Sequence, residues 1–464
     1  MTKSVYVDPI TRLEGHAKLN LQFSDAGLFD KVKFQCYEPP RGFERIFIGM
    51  LGEEIPRLAG KICGICYSAH SVAAVQAIEN AWGVEPPEDA VKLRELMLLA
   101  NLLQSHTLHF TFLFMPDFLC DNPREKNLAG LLNKDKELVE ASIKLRAIGQ
   151  KITEMIGGRQ IHPATVVPGG LTKSLNKDDI GKITVHVNEA KVLVETLKNR
   201  AEKVMETKAS LIEKFGKITS HFLCLQQKQH LTLCNADLEL STKNGPIITM
   251  KSEKYSKLVK ERVINYSFIK QPYLDKRGLE DGLIRVGPLA RVNRCKWNNE
   301  LLRKFDKVFP RPSQSTLAYN IARTIEIEEC LKRIEEIIND GVGKHVREIA
   351  KPRGGSGVGI VEAPRGLLFH YYSTDIQGIV TKANVVAPTT QNALAIEKSA
   401  DAAARERFAG KAYERITRAD LNSIEMVVRA YDPCLSCSVH LVRIKRGYEN
   451  GKNNRCKRNG HKRS

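Results

Sequence analysis

Apolar side chains at Ala17, Leu19, Leu21 and Phe23 alternate with polar ones, the period of a half-buried strand. Val32, Phe34 and Cys36 resume the alternation after the turn-forming Ser24-Asp25-Ala26-Gly27, so the spacing predicts a β-hairpin over about 16–37. Beyond Pro39-Pro40-Arg41-Gly42-Phe43-Glu44 the period lengthens to that of helices, and Ser68 to Trp82 reads as one. Pro86-Pro87 followed by Glu88-Asp89 opens another, with carboxylates at the positive end of the helix dipole. It leads into the apolar run from Val91 to Phe114, and Met115-Pro116-Asp117 ends it. That run is interrupted by Lys92, Arg94, Glu95, Asn101, Gln104, His106 and His109, which predicts a buried core helix rather than a membrane span.

Residues 121–160 continue as helix to Gly157-Gly158, followed by a loop from His162-Pro163 to Pro168-Gly169-Gly170. From Ile183 to Phe215 apolar positions recur among Glu and Lys, as on a surface-facing amphipathic helix. Residues 217–300 are mixed and rich in β-branched residues and turns. Ala322 to Asp340 and Gln391 to Phe408 read as helices, Gly359 to Asp375 as strand and turn, and Lys351-Pro352-Arg353-Gly354-Gly355-Ser356-Gly357 as a flexible connection. The pattern predicts an α+β class, mainly helical: a single large domain with a core helix bundle and small peripheral β elements. No internal repeat is present.

Composition adds little to this. Hydrophobic residues are 42% and charged residues 27% of 464, ordinary for a globular chain. The net charge of +19 would by itself point to an anionic partner such as nucleic acid. Its distribution weakens that reading, because residues 441–464 hold nine Lys or Arg against one Glu and leave +11 for the rest. Eleven cysteines without regular spacing do not resemble a secreted disulfide framework. The segment Met1 to Pro9 lacks an apolar stretch, so a reducing, cytoplasmic setting is expected.

Two cysteine pairs carry a pattern: Cys63-Gly64-Ile65-Cys66 and Cys434-Leu435-Ser436-Cys437. Thiolates at this spacing reach one metal from a single turn, and two pairs supply four sulfurs. Structural zinc is the common meaning, but zinc ribbons separate their pairs by roughly 15 to 20 residues. Here 367 residues intervene. Spacing alone leaves zinc, an iron-sulfur site and a redox pair all open.

The surroundings of the pairs narrow the choice. Arg12-Leu13-Glu14-Gly15-His16, Arg41-Gly42-Phe43-Glu44, Cys63-Gly64-Ile65-Cys66-Tyr67-Ser68-Ala69-His70, Val286-Gly287-Pro288-Leu289-Ala290-Arg291, Glu362-Ala363-Pro364-Arg365-Gly366, Pro388-Thr389-Thr390-Gln391-Asn392 and Asp432-Pro433-Cys434-x-x-Cys437-x-x-His440 stand in order along the chain. Together they resemble the signatures of the nickel-iron hydrogenase large subunit, over residues 8 to 440. The ending and the helix from Leu93 to Asp117 are most similar to the cytoplasmic group that reduces the deazaflavin coenzyme F420 or feeds disulfide reduction.

The resemblance implies a catalytic subunit that cleaves H2 reversibly and heterolytically into protons and electrons. Four thiolates would hold nickel, with Cys63 and Cys434 terminal and Cys66 and Cys437 also bridging to an iron that carries carbon monoxide and cyanide. Cys434 would be the first proton acceptor and Glu14 the relay carboxylate. Arg365 would face the bimetallic centre, held by Asp432. Pro364, Thr390 and Gln391 are the further cofactor-binding positions, with Thr390 or Gln391 as donor to a cyanide. Glu44 and His440 match ligands of a magnesium site. His70, His106 and His109 read as hydrogen-bonded core histidines. Gln104-Ser105 stands where some relatives place a carboxylate near the site.

The remaining cysteines, Cys36, Cys120, Cys224, Cys234, Cys295, Cys330 and Cys456, form no cluster motif. The implied electron partner is therefore an iron-sulfur small subunit, with a flavin-containing or heterodisulfide-reductase subunit beyond it. The basic segment 441–464 cannot follow Cys437 into a buried site without heavy desolvation. The expected domains are 1–440 and a basic extension, whose removal by a maturation endopeptidase is what the resemblance implies; a retained basic arm touching nucleic acid and a non-native extension are the alternatives. H2 would be the substrate, with no nucleic acid bound and no membrane span. The rival readings are a zinc-stapled nucleic-acid-binding protein and a respiratory quinone-reductase subunit of the same fold.

Overall fold

In the computed structural model, which describes residues 3–243 and 245–439, the expected hairpin belongs to a three-stranded antiparallel sheet. β1 (Lys3–Val7) lies on β2 (Ala17–Phe23), which pairs with β3 (Phe29–Cys36) so that Ala17 faces Cys36. Ala17, Leu19, Leu21 and Phe23 are the buried positions, as the alternation requires. β1 carries little such signal, since among its residues only Val7 is buried.

Four long helices follow or frame the centre: α1 (Tyr67–Trp82), α2 (Glu88–Leu108), α3 (Lys136–Gly157) and α4 (Lys177–Lys214). α2 passes into a π-helical turn at His109–Phe114 before Pro116. It is buried on nearly every side from Leu93 to Thr107, which is why it lacks a clean amphipathic stripe. α4 is amphipathic, with Ile183, Val187, Ala190, Val194, Leu197 and Ala201 turned inward. An Asn176–Asp179 capping box fixes its start. The mixed region contains the sheet β7-β4-β5-β6, formed by β4 (His221–Leu225), β5 (Leu238–Ser241), β6 (Ile247–Met250) and β7 (Ile284–Arg285). α5 (Tyr319–Asp340) completes the bundle, packing on both α2 and α4.

The stretch expected to be a flexible connection has no regular structure over 351–354, but from Gly355 it is the start of a strand. β8 (Gly355–Ala363) pairs with β9 (Gly366–Thr374), which pairs with β10 (Val380–Val386). A Cβ on Gly355, Gly357 or Gly359 would lie 2.0, 2.1 or 1.9 Å from the carbonyl oxygens of Ala81, Ala77 and Ala73. Glycine at every second residue of the strand matches alanine at every fourth of α1, so backbone meets backbone. Here glycine serves close approach, not flexibility. α6 (Pro388–Phe408), α7 (Arg418–Ala430) and a final helical turn, α8 (Leu435–Ser438), bring the chain back to α1. The result is the expected α+β arrangement, mainly helical with small sheets. His440 and residues 441–464 lie outside the described residues.

Candidate metal centre

Cys63 follows a short 3-10 turn and Cys66 sits at the N-terminal end of α1. The amides of Ile65 and Cys66 each donate to the Cys63 sulfur at 3.3 Å, so the turn is wrapped around that atom. Asn101 and Gln104 of α2 both donate to the Ile65 carbonyl, at 2.7 and 3.1 Å. Gln104 therefore helps to secure the first cysteine turn.

The second pair sits at the start of α8. Asp432 reverses the chain with φ of 53°, and the Cys434 amide donates to Thr389 Oγ1 at 3.0 Å. Arg41 ties the two turns together by donating to the carbonyls of Ile62 and Ser436. The sulfurs of Cys63, Cys66, Cys434 and Cys437 all lie within 4.8 Å of one another and are buried. Cys63 is 3.5 Å from Cys434, Cys66 is 3.5 Å from Cys437, and Cys434 is 2.9 Å from Cys437. Among the described residues this is the one group of three or more metal-ligating side chains so placed.

Electrostatics set these thiols apart from the scattered ones. Hydrogen bonds from Cys434, Cys437 and Cys63 hold the Cys66 thiol well below the usual range, so negative charge is already favoured there. Hydrogen bonding to Cys437, Cys63 and Cys66 raises Cys434, and burial raises Cys437. A cation is needed before all four can ionise. By contrast, burial pushes Cys36, Cys234 and Cys295 up to about 12 and leaves them as inert thiols.

Arg365 lies in the turn between β8 and β9, buried beside Pro364. Its Nε donates to the Asp432 carbonyl oxygen at 2.7 Å and its Nη2 to Asp432 Oδ1 at 3.1 Å. The pairing thus uses main chain and one carboxylate oxygen, not both carboxylate oxygens. Burial opposes the charge of Arg365, but Asp432 and the sulfurs of Cys434, Cys66 and Cys63 outweigh it and raise the guanidinium. Burial raises Asp432 despite Arg365 and Arg323. Arg365 Nη1 is buried without a partner among the described residues, as are Nε and Nη2 of Arg323. Arg323 was not foreseen; it belongs to no motif and sits inside the apolar period of α5.

The donor set and these unpaired hydrogens fit a nickel-iron site. Four soft sulfurs suit such metals, and buried guanidinium hydrogens suit anionic groups bound to them. Thr390 donates to the Ser438 carbonyl at 3.3 Å, and Gln391 Nε2 donates to the Leu367 carbonyl while its Oε1 has no partner among the described residues. Pro364 offers its carbonyl to Arg291 at 3.4 Å.

Glu14 is brought to the same place from the other end of the chain. It forms an isolated parallel bridge with Cys434, and its Oε2 accepts from the Ser436 amide at 3.1 Å. Gly15 permits this approach, having φ of 84° and a Cβ position only 2.8 Å from Leu435 Cβ. Glu44 accepts from the Val385 amide at 2.9 Å and lines a cleft with Arg41, Ile62, Cys437 and Val439. Its expected partner, His440, lies outside the described residues.

Of the three histidines, His106 bonds Glu326 at 2.7 Å in a buried network in which Arg291 also bridges Glu326 and Glu362. His109 contacts the Arg429 carbonyl at 2.8 Å, and His70 contacts His370 at 3.0 Å. None of the three is among the four clustered ligands.

A family model described as nickel-dependent hydrogenase matches residues 41–122 and 235–440, and a second, HoxL-like, matches 4–38. The chain is 37% identical to one subunit of the vhu F420-non-reducing hydrogenase of Methanocaldococcus jannaschii, over 87% of this chain and 99% of that one. It is 31% identical to the alpha subunit of sulfhydrogenase 2 of Pyrococcus furiosus, over 95% and 100%. Among solved structures, an NAD+-reducing nickel-iron hydrogenase in the H2-reduced state superposes with a TM-score of 0.88. It has 32% identity, covering 94% of this chain and 99% of that one. The nickel-iron-selenium hydrogenase of D. vulgaris Hildenborough shares the fold, with a TM-score of 0.77 at 24% identity over 95% and 100% of the two chains. A zinc-stapled nucleic-acid-binding protein is thereby set aside, and the four retained cysteines answer the quinone-reductase reading. The chain belongs to the nickel-dependent hydrogenase family and is its catalytic large subunit.

Proposed function

We propose that Cys63 and Cys434 bind nickel terminally, that Cys66 and Cys437 bridge it to an iron with carbon monoxide and cyanide ligands, and that Glu14 carries protons between this site and the surface. The bound metals would supply the Lewis acidity that polarises H2 and a store for its electrons. Cys434 Sγ would be the first proton acceptor, lying on the turn to which Glu14 is bridged. Glu14, half-buried and hydrogen-bonded to the Ser436 amide, takes the proton onward. Arg365 supplies a fixed positive charge toward the iron ligands through the unpaired Nη1, without reorganising during turnover.

Glu44 and His440 would hold magnesium beside the last described residue, where an oxygen ligand is what that cation prefers. Removal of 441–464 by a maturation endopeptidase would follow metal loading. The relatives are single subunits of larger enzymes, which supports electron transfer to an iron-sulfur small subunit, with a flavin-containing or heterodisulfide-reductase subunit beyond it. Among the described residues no helix is long and apolar enough to cross a membrane.

The observation that carries this reading is the convergence of four buried sulfurs beside a guanidinium with one unpaired nitrogen. Metal analysis of the anaerobically purified complex, with H2-dependent dye reduction, tests it. Nickel and iron with activity are expected. Zinc without nickel, and no reduction, would refute it.

A further inference from the structure

Three fully buried side chains run away from Cys66. His70 stands one turn beyond Cys66 on α1, its amide donating to the Cys66 carbonyl at 3.2 Å, and its ring reaches toward the Cys66 sulfur. His70 Nδ1 lies 3.0 Å from His370 Nε2, and His370 Nδ1 lies 2.8 Å from the Tyr372 hydroxyl. His370 and Tyr372 stand two residues apart on β9 and so project to one face. Their partners across the β8–β9 pairing are Gly359 and Gly357, two of the glycines that let α1 settle onto the strand. The close packing that looks merely structural therefore brings His70 of α1 within reach of His370.

The direction of the chain follows from its ends. Among the described residues the Tyr372 hydroxyl has one hydrogen-bond partner, His370 Nδ1. Burial and the charge of Glu44 raise Tyr372 well above its ordinary range, so the phenol keeps its proton. A buried hydroxyl with one partner donates to it, which makes His370 Nδ1 the acceptor and Nε2 the N–H. Burial likewise keeps the His370 ring neutral. His370 Nε2–H then donates to His70 Nδ1, so the proton of His70 is on Nε2. A metal-bound thiolate can only accept, which closes the series consistently at Cys66.

We propose that Tyr372 and His370 are positioning residues: they fix the tautomer of His70 so that it donates a hydrogen bond to the Cys66 thiolate and tunes the electron density of the bridging sulfur. The inference rests on Cys66 being a metal ligand, as proposed above. A hydrogen bond donated to a ligating sulfur stabilises the more electron-rich state and so raises the reduction potential. Without the hydroxyl, His370 can adopt the opposite tautomer, accept from His70 Nδ1, and leave a lone pair on His70 facing the thiolate.

The test is an EPR-monitored redox titration of the nickel signal in the purified complex, for the wild type, Tyr372→Phe, His370→Leu and His370→Gln. Tyr372→Phe removes one buried oxygen and leaves the ring in place. It is expected to keep its nickel and to lower the midpoint potential. His370→Leu should lower it as well. His370→Gln, which can accept from Tyr372 and donate to His70, should restore the wild-type value. An unchanged or raised potential in Tyr372→Phe would overturn the inference. So would loss of nickel from that variant, since the hydroxyl would then serve assembly of the site. If His370→Leu does not fold, Tyr372→Phe decides alone. A wild-type complex without nickel would instead refute the metal assignment itself.

Discussion

The main chain of Glu14 is paired with that of Cys434: the Glu14 carbonyl accepts from the Leu435 amide at 3.1 Å, and its carboxylate accepts from the Ser436 amide at 3.1 Å. A residue near one end of the sequence is thus built into the turn that presents two of the four sulfurs. Arg12, at φ of 58°, is anchored to Asp117 and to the Leu113 carbonyl at the end of the π-helical turn, which fixes the direction of the Glu14 segment.

Glu14→Gln separates position from proton carriage. The amide oxygen can still accept from Ser436, so nickel content should match the wild type. H2 oxidation should fall roughly 100- to 10,000-fold, the range for a lost acid-base group. Comparing nickel stoichiometry with dye-reduction rates checks this; an activity close to wild type would remove Glu14 from the proton route.

Arg365→Met leaves Asp432 buried with no guanidinium on its Oδ1. Breaking a buried pair on one side costs on the order of 3–5 kcal/mol. A lowered unfolding temperature is expected, with Asp432→Asn in the same chain recovering part of the loss. Equal melting of Arg365→Met and wild type would show that Arg323 alone balances the carboxylate.

Gly359→Ala places a methyl 1.9 Å from the Ala73 carbonyl oxygen. α1 must shift, and with it Cys66 at its N-terminal end. Overpacking of this kind costs about 1–3 kcal/mol. The expected result is a reduced melting temperature together with reduced nickel occupancy, read by mass spectrometry.

The cysteine pairs were legible from their spacing, and Glu14, Arg365 and Asp432 through the resemblance that their motifs carry. The elements were legible where one face is buried, as in β2 and α4. Legibility failed where partners are supplied only by tertiary packing. The glycines of β8 resemble a linker until α1 is laid on them. Arg323 and Tyr372 lie within apolar runs, and nothing local distinguishes a buried guanidinium or phenol facing a polar neighbour from one filling space. Gln104 is a further case, since its service to the Ile65 carbonyl depends on the curl of the Cys63–Cys66 turn.

His106 gives the fold a definite acid sensitivity. Burial pushes it down to about 4 from an ordinary 6.5, against the opposing pull of Glu326. The unfolded chain therefore takes up this proton first as the pH falls. The associated stability is present above pH 6.5 and is lost progressively toward about pH 4. Urea midpoints across that window should decline in the wild type, and His106→Gln should lose that part of the slope. A slope unchanged by the substitution would place the titration elsewhere.

Nickel X-ray absorption on the anaerobically purified complex tests the central claim most directly. Four sulfur neighbours and a nearby iron around nickel are predicted, with one sulfur lost when Cys63 or Cys434 is replaced by serine. Nickel surrounded by nitrogen and oxygen, or a site filled by zinc, would contradict it.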